Sequence, residues 1–375
     1  MSARFLTVVL ERAFNMRDGF GREIDYMRIS VIDSCNLNCY YCNPCDNNEH
    51  CHALNILSVK EVLCIVRAAT RLGIKHFRLT GGEPLLHPQL DEMVLQIKKI
   101  PGVSSVSLTT NAVLLVQHAK WLKEAGIDSI NVSLDTIDAS EYERITKKPL
   151  LEEVKHGINA AIECGIRVKI NVVLTPQTDV VALTRYVAKK GTDIRFIEMM
   201  PVGEGHTNGV EPYKKVIGTL SKLYGEPCRI NTEKTKEINS GNDKRKIPDN
   251  GPAEYYIFPE LGIRVGLIQA IHGKFCDTCN RIRVTADGRL MPCLGSSVTM
   301  DLVPDSCEFT DDLEKDFVIA QALKAAIKAK PGCHNFNDNA VTYTKTTETK
   351  TVETKATELK AAEVNAARNM SRIGG

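Results

Sequence analysis

Thirteen cysteines stand in this chain of 375 residues, and they are not evenly spread. Cys35, Cys39, Cys42, Cys45 and Cys51 crowd one short segment, and Cys276, Cys279 and Cys293 form a second group. Cys64, Cys164, Cys228, Cys307 and Cys333 stand alone. Disulfide scaffolds belong to small secreted domains, so tight clusters in a chain of this length read as metal sites. In Cys35-x3-Cys39-x2-Cys42, three thiolates can hold three irons of a four-iron cube and leave the fourth iron open to a substrate or cofactor. The alternative is a zinc site that recruits Cys45 or Cys51. Cys276-x2-Cys279-x13-Cys293 again offers three thiolates, and Cys307 could complete a zinc ribbon there.

Two further patterns sit beside these groups. Cys279 is followed by Asn280-Arg281-Ile282-Arg283. On an extended segment, alternation puts both arginines on one face. Two guanidiniums beside a metal centre suit a polyanion, because Arg binds phosphate through a planar fork. Ordinary surface salt bridges are the plainer reading of an isolated Arg-x-Arg. Gly81-Gly82-Glu83-Pro84 would allow the backbone to approach a ligand closely, or would be a simple turn.

The elements that must position these residues alternate along the chain. Tyr26–Ile32 reads as a buried strand, and the first cysteine group follows it in an Asn-rich loop. Ser58-Val59-Lys60-Glu61 is a capping-box pattern that opens a helix to about Leu72, with Gly73 beyond it. Strands are then expected at His76–Leu79, Val103–Leu108, Ser129–Leu134, Val168–Leu174 and Ile194–Met199. Helices are expected at Pro88–Ile100, Val116–Ala125, Leu151–Cys164 and Asp179–Lys190. Such alternation implies parallel strands with right-handed crossovers. Six units are too few for a full eight-fold barrel, so the fold class expected is α/β, a partial (βα)6 TIM-like barrel. After Pro201 the alternation stops, with a helix at Tyr213–Tyr224, a polar loop at Asn231–Gly251 and short strands within Ile257–Ile268. This leaves a smaller C-terminal portion that carries the second cysteine group. Thr342–Ala362 repeats Glu-Thr-Lys and has too few large apolar residues to pack, so it reads as a linker. The resulting division is 1–25 as an N-terminal extension, 26–210 as the barrel, 211–341 as the second-cluster region, 342–362 as linker and 363–375 as tail.

Composition excludes some classes of partner. Net charge is +2, which gives no broad attraction to nucleic acid or membrane. No apolar run is long enough to span a bilayer. Phe5–Leu10 is too short for a signal-peptide core. Arg4, Arg12 and Arg17 hint weakly at an organelle address, against which Glu11 counts. The compartment expected is therefore reducing and cytoplasmic, with the mitochondrial matrix left open.

Cys-x3-Cys-x2-Cys after the first strand, together with Gly-Gly-Glu-Pro after the second, resembles the radical-SAM superfamily. The resemblance narrows with two three-cysteine groups, Arg-x-Arg after the second, Gly203-Glu204-Gly205 after the sixth strand and a terminal Gly374-Gly375. Stretches such as FGREIDYMRIS, RLTGGEPLL, INVSLDT, RFIEMMPVGEG and FCDTCNRIRVT are similar to the GTP 3′,8-cyclase family, across about Asp18 to His334 and Asn369–Gly375. That resemblance implies a lyase with two [4Fe–4S] clusters, one on Cys35, Cys39 and Cys42 and one on Cys276, Cys279 and Cys293. It implies S-adenosylmethionine held near Tyr41, Gly82, Ser133 and Met200. It implies GTP held by Arg28, Arg78, Thr109, Lys169, Arg281, Ile282 and Arg283, its guanine on the open iron of the second cluster. Arg281, Arg283, Gly374 and Gly375 would be catalytic.

The implied reaction takes hydrogen from C3′ of the GTP ribose and closes the substrate radical onto C8 of guanine. The implied partners are GTP, an electron donor and the cyclic pyranopterin monophosphate synthase that takes the product; a homodimer is common in similar enzymes. The strands support the cation set independently. Arg28, Arg78 and Lys169 interrupt largely apolar strands, and a buried cation needs an anion. Buried Asp or Glu could serve, but three cations on neighbouring strands favour one shared polyanion. His76 stands where the family often has a second basic residue, and Ala112 stands where it usually has a glycine. The rivals are a radical-SAM peptide-modifying enzyme and a zinc-binding interaction protein. The first has no use for converging Arg28, Arg78 and Lys169.

Overall fold

The computed structural model describes residues 16–42, 55–201, 209–230, 251–296, 299–302, 312–334 and 336. Cys45, Cys51, Cys307, Gly203–Gly205, the 342–362 linker, Gly374 and Gly375 lie outside the described residues.

Six strands build the body: β1 (Tyr26–Ser30), β2 (His76–Thr80), β3 (Ser105–Thr110), β4 (Ser129–Ser133), β5 (Val168–Val173) and β6 (Asp193–Ile197). The helices between them are α1 (Val59–Arg71), α2 (Leu90–Lys99), α3 (Leu115–Glu124), α4 (Ala139–Thr146), α5 (Leu151–Glu163) and α6 (Val180–Lys189). The capping box at α1 is real. Ser58 Oγ accepts from the Glu61 N–H at 3.3 Å, and Glu61 Oε2 accepts from the Ser58 N–H at 2.8 Å. Gly73 then turns the chain at φ 88°, where a side chain would be strained. Two details depart from the sequence expectation. β3 starts at Ser105 and runs on to Thr110. Helix α4 follows β4 where none was foreseen, capped by Asp138 Oδ1 on the Glu141 N–H at 2.8 Å. It is short and polar on its open side, so its periodicity is faint.

The residues after Pro201 add to this body. They continue the same sheet. The later elements are a π turn at Tyr213–Ile217 leading into α7 (Gly218–Tyr224), then β7 (Cys228–Arg229), β8 (Glu254–Ile257), β9 (Arg264–Ile268), β10 (Arg281–Val284), β11 (Arg289–Met291), β12 (Met300–Asp301) and α8 (Asp312–Lys328). The strand order is β12-β11-β10-β1-β2-β3-β4-β5-β6-β9-β8-β7. β10 joins β1 in parallel, with Tyr26 opposite Arg281, and β9 joins β6 in parallel, with Ile194 opposite Val265. The edge N–H and C=O groups of a six-stranded sheet need partners, and the C-terminal strands supply them on both sides. The row from β10 to β9 is thus parallel throughout, a partial barrel with an antiparallel hem at each end. Helix α8 locks onto α1, where Arg67 Nε and Nη2 grip the buried Asp316 carboxylate at 2.8 and 3.0 Å.

The two faces of the sheet differ in chemistry. Met27, Ile29, Phe77, Leu79, Val106, Leu108, Ile130, Val132, Ile170, Val172, Ile194 and Phe196 are fully buried toward the helices. Their alternates on the inner face are mostly polar or charged, with Val173 and Ile197 the exceptions at the ends of β5 and β6. A barrel of this kind usually fills its interior with branched apolar side chains, so a polar interior marks a binding chamber. No helix among the described residues is long and apolar enough to cross a membrane.

Candidate active site

Cations crowd one side of the inner face. Parallel registration sets Arg283 opposite Arg28, and Arg28 opposite Arg78, across β10, β1 and β2. Arg281 faces Tyr26 one step below, and the Tyr26 hydroxyl accepts from Arg78 Nε at 2.5 Å. Burial and the neighbouring Arg283 and Arg78 hold Arg28 well below the usual guanidinium range. Burial and Arg281 bring Arg283 down to about 10. Among the described residues, Arg281 Nε and Arg283 Nη1 are buried with no hydrogen-bond partner. Burial with neighbouring like charge and unmet donors is the signature of a chamber shaped for an anion. Ile282 is the exception in that segment: its side chain is 1% exposed and lies on the opposite, apolar face. Only its backbone can face the chamber.

The wall continues through Thr109, in register with Asn131, and Asn131, in register with Lys169. Sequence reasoning missed two members of this wall. Asn131 is 0% exposed, and neither its Oδ1 nor its Nδ2 has a partner among the described residues. Arg195 is buried on β6 in register with Asn171, whose Oδ1 accepts from its Nε at 2.9 Å. Each is a polar residue alternating with apolar ones in a core strand, and that was the available signal. His76 lies at the lower rim with Nδ1 2.8 Å from Ser105 Oγ. Burial lowers its pKa, which disfavours its charged form.

The first cysteine loop caps the C-terminal end of β1. The Cys42 N–H donates to the Cys39 carbonyl at 2.9 Å, and Asn38 and Tyr40 N–H groups donate to Thr146 and Ile145 carbonyls at the end of α4. Burial and the neighbouring Glu83 push the Cys35 thiol up to about 11. Burial and Cys35 push Cys42 up to about 12, and burial and Cys42 raise Cys39 further. The three thiols therefore feel one another, and loading a metal cluster must release their protons. A cleft of ≈ 340 Å³, open mouth included, lies beside them, lined by Cys39, Tyr41, Asn111, Ser133, Asp135 and Tyr142 among others. Tyr41 OH donates to Asp135 Oδ2 at 2.5 Å, and burial raises the Asp135 carboxyl to about 6.

The Gly-Gly-Glu-Pro turn packs closely on the chain's own backbone. A Cβ at Gly82 would stand 2.1 Å from the Ser34 carbonyl oxygen, and one at Gly81 2.6 Å from that of Ile32. The close approach is to the chain's own segment leading into Cys35. Gly82 and Glu83 N–H groups donate to Ile32 and Ser34 carbonyls at 2.8 and 2.7 Å. The Glu83 side chain ties the turn to β3, accepting from Thr110 Oγ1 and the Asn111 N–H, each at 2.7 Å. Ala112, just beyond, adopts φ 66° with its methyl fully buried.

The second cysteine group lies around a 3₁₀ turn, Cys276–Thr278, with Cys293 beyond β11. Burial raises the Cys276 thiol, and Cys293, Cys279 and Cys333 add to the effect. Cys333 is thus a fourth thiol in the neighbourhood, brought there by tertiary structure. Among the described residues no three His, Cys, Asp or Glu side chains are arranged to hold a single metal ion.

Comparison with known proteins decides the family. Residues 29–182 match the Radical SAM superfamily, and residues 192–336 match Molybdenum Cofactor Synthesis C. A GTP 3′,8-cyclase of Clostridium perfringens (strain SM101 / Type A) is 36% identical over 324 residues, 86% of this chain and 95% of that one. The chain belongs to the GTP 3′,8-cyclase family. A GTP 3′,8-cyclase of Pelotomaculum thermopropionicum is 37% identical over 327 residues, 85% of this chain and 95% of that one. Streptococcus suis SuiB bound to S-adenosylmethionine shares the fold, with a TM-score of 0.52 at 15% identity, over 80% of this chain and 65% of that one. Members of the radical-SAM superfamily carry an iron–sulfur cluster and use S-adenosylmethionine, so the GTP 3′,8-cyclase family has both as cofactors. The family frame fits the departures too. Ala112 keeps the left-handed backbone that a glycine would take without strain.

Proposed function

We propose that this chain cyclises GTP to 3′,8-cyclo-7,8-dihydroguanosine 5′-triphosphate, the first step of molybdenum-cofactor biosynthesis, within the chamber between its two cysteine groups. The observation that carries this reading is the row Arg283–Arg28–Arg78, set side by side by parallel registration, with unmet guanidinium donors beside it. A triphosphate matches that charge and that donor geometry.

Cys35, Cys39 and Cys42 would hold the first [4Fe–4S] cluster, whose electron cleaves bound S-adenosylmethionine to the deoxyadenosyl radical that takes the C3′ hydrogen. Tyr41, Gly82, Ser133 and Met200 would hold the sulfonium cofactor; Tyr41 and Ser133 line the cleft beside the first cysteine loop, and Gly82 and Met200 are assigned on the family resemblance. Ser133 and Met200 sit at or just past the C-terminal ends of β4 and β6. The Tyr41–Asp135 pair orients the ring that meets the adenine. Cys276, Cys279 and Cys293 would hold the second cluster, next to Arg281. Arg28, Arg78, Thr109, Lys169, Arg281 and Arg283 would bind GTP, with Asn131 and Arg195 added to that set. Lys169, Asn131 and Arg195 are buried and the other members half-buried, an enclosure that limits water and would fix the ribose, because a misplaced radical reacts with the wrong bond. Gly374 and Gly375 are assigned to the catalytic tail on the family resemblance, and an electron donor and a downstream synthase complete the partners. A radical-SAM peptide modifier has no use for this cation wall.

The test is an anaerobic reaction of reconstituted protein with dithionite, S-adenosylmethionine and GTP, followed by mass spectrometry. The expected products are 5′-deoxyadenosine and a cyclised dihydro-GTP. Deoxyadenosine without a GTP product would refute the substrate, and neither product from cluster-loaded protein would refute the mechanism.

A further inference from the structure

The second cysteine group is pinned from outside its own motif by two buried cations. Arg22, paired with Asp18 at 2.6 Å, donates to the Cys276 carbonyl at 2.6 Å, to Pro331 at 2.6 Å and to Gly332 at 2.9 Å. It thereby ties the segment after α8 to the Cys276 turn. Lys330, at the head of that segment, is 3% exposed and donates from Nζ to the Pro292 carbonyl at 2.7 Å. Pro292 is the residue before Cys293. The other hydrogen-bonding contact of Lys330 is the Cys279 sulfur. The His334 N–H contacts the Cys276 sulfur, and His334 Nε2 lies 2.7 Å from the Ala270 carbonyl oxygen.

Lys330 therefore spans two loops that carry different cysteines. Among the described residues it pairs with no carboxylate; its partners are a carbonyl and a thiol sulfur. A buried ammonium without an anion is costly. A thiolate-bound cluster supplies that anion. Hydrogen bonds and charge at the sulfurs are among the main controls of cluster potential, and outer partners also hold the ligands in place.

We propose that Lys330 is a positioning residue for the second cluster, holding the Cys276–Cys279 turn against the Cys293 loop and raising the cluster's reduction potential through its contact with the Cys279 sulfur. The proposal rests on the assignment of a cluster to Cys276, Cys279 and Cys293. A positive charge beside the cluster stabilises its reduced, more negative state, so removal of the charge lowers the potential.

The experiment uses a parent chain with Cys35, Cys39 and Cys42 all changed to Ala, reconstituted anaerobically so that only the second cluster is present. K330M and K330R are compared with it by iron content, by EPR-monitored redox titration and by the rate of iron loss to a chelator. K330M is expected to disfavour reduction about tenfold, which is about 59 mV for one electron, and to lose iron several-fold faster. K330R is expected to recover most of both. An unchanged potential and release rate in K330M would overturn the proposal while leaving the cluster assignment standing. A parent that takes up no iron–sulfur cluster would overturn the assignment and the proposal with it. Circular dichroism separates a lost cluster from a lost fold; if K330M does not fold, K330Q carries the potential measurement.

Discussion

Arg283→Met should make the GTP-free protein more stable and its substrate binding much weaker. Burial and Arg281 bring Arg283 down from the usual guanidinium range to about 10. At about 1.4 kcal/mol per unit, keeping this guanidinium charged costs the folded state about 3 kcal/mol. The direction follows from proton counting. Between pH 10 and pH 12.5 the unfolded chain binds more protons, so stability rises with pH only there. At any pH below 10 the whole cost is present. That figure already includes the opposing pull of the Cys279 and Cys293 thiolates, both of which act on Arg283 in the raising direction. Relaxation of the site returns part of that cost, so the expected net gain is about 1–2 kcal/mol, or roughly 1–3 °C in melting temperature for a chain of this length. Methionine matches the stem in length and fills irregular space. Against this, hydrogen bonds to a charged phosphate contribute about 1.5–3 kcal/mol, so GTP affinity should fall about 10- to 100-fold. Thermal melts of reconstituted protein with and without GTP read both effects, because a ligand at free concentration L raises stability by RT ln(1 + L/Kd). A lower melting point in R283M with an unchanged GTP-induced shift would refute the electrostatic account of this wall.

Three further outcomes are expected. Cys42→Ala should abolish deoxyadenosine formation, whereas Arg281→Ala should retain it and stop GTP cyclisation; product analysis by mass spectrometry checks both. Burial raises Glu83 from 4.5 to about 7, so the folded state binds the extra proton and stability is lost as pH rises from about 4.5 through 7. Cluster-free protein should lose up to about 3 kcal/mol over that window from this group, and Glu83→Gln should flatten the pH profile of the melting temperature relative to wild type. Gly157→Ala should destabilise by about 1–3 kcal/mol, although Ala is ordinarily the better helix former. Its Cβ would stand 2.3 Å from the Ala112 carbonyl oxygen, and a denaturation midpoint equal to or above wild type would refute this packing.

Local features of the fold were open to reading in the sequence. The six βα units, the Ser58–Glu61 capping box and the glycine stops arise from interactions a few residues apart, so spacing and residue type suffice to place them. The first cysteine trio lies within one loop, and Arg281 and Arg283 alternate within one strand; their shared face follows from the two-residue period. Arg28, Arg78 and Lys169 stood out because each breaks an apolar run. Asn131 and Arg195 break their runs too, but a single Asn or Arg in a strand has no distinctive pattern without knowing which face is buried.

What the tertiary structure decided is everything that depends on contact between distant segments. Nothing in the order of residues says that β10 pairs with β1, yet that pairing sets Arg283 beside Arg28 and closes the cation wall. In the Gly-Gly-Glu-Pro turn, Gly81 packs on the backbone of Ile32 and Gly82 on that of Ser34, some 50 residues away along the chain. Lys330 and Arg22 flank the second cysteine group from opposite ends of the chain. Local chemistry is written in spacing, but hydrogen-bond closure of a sheet and the burial of a charge are properties of the packed whole, and only the folded chain determines them.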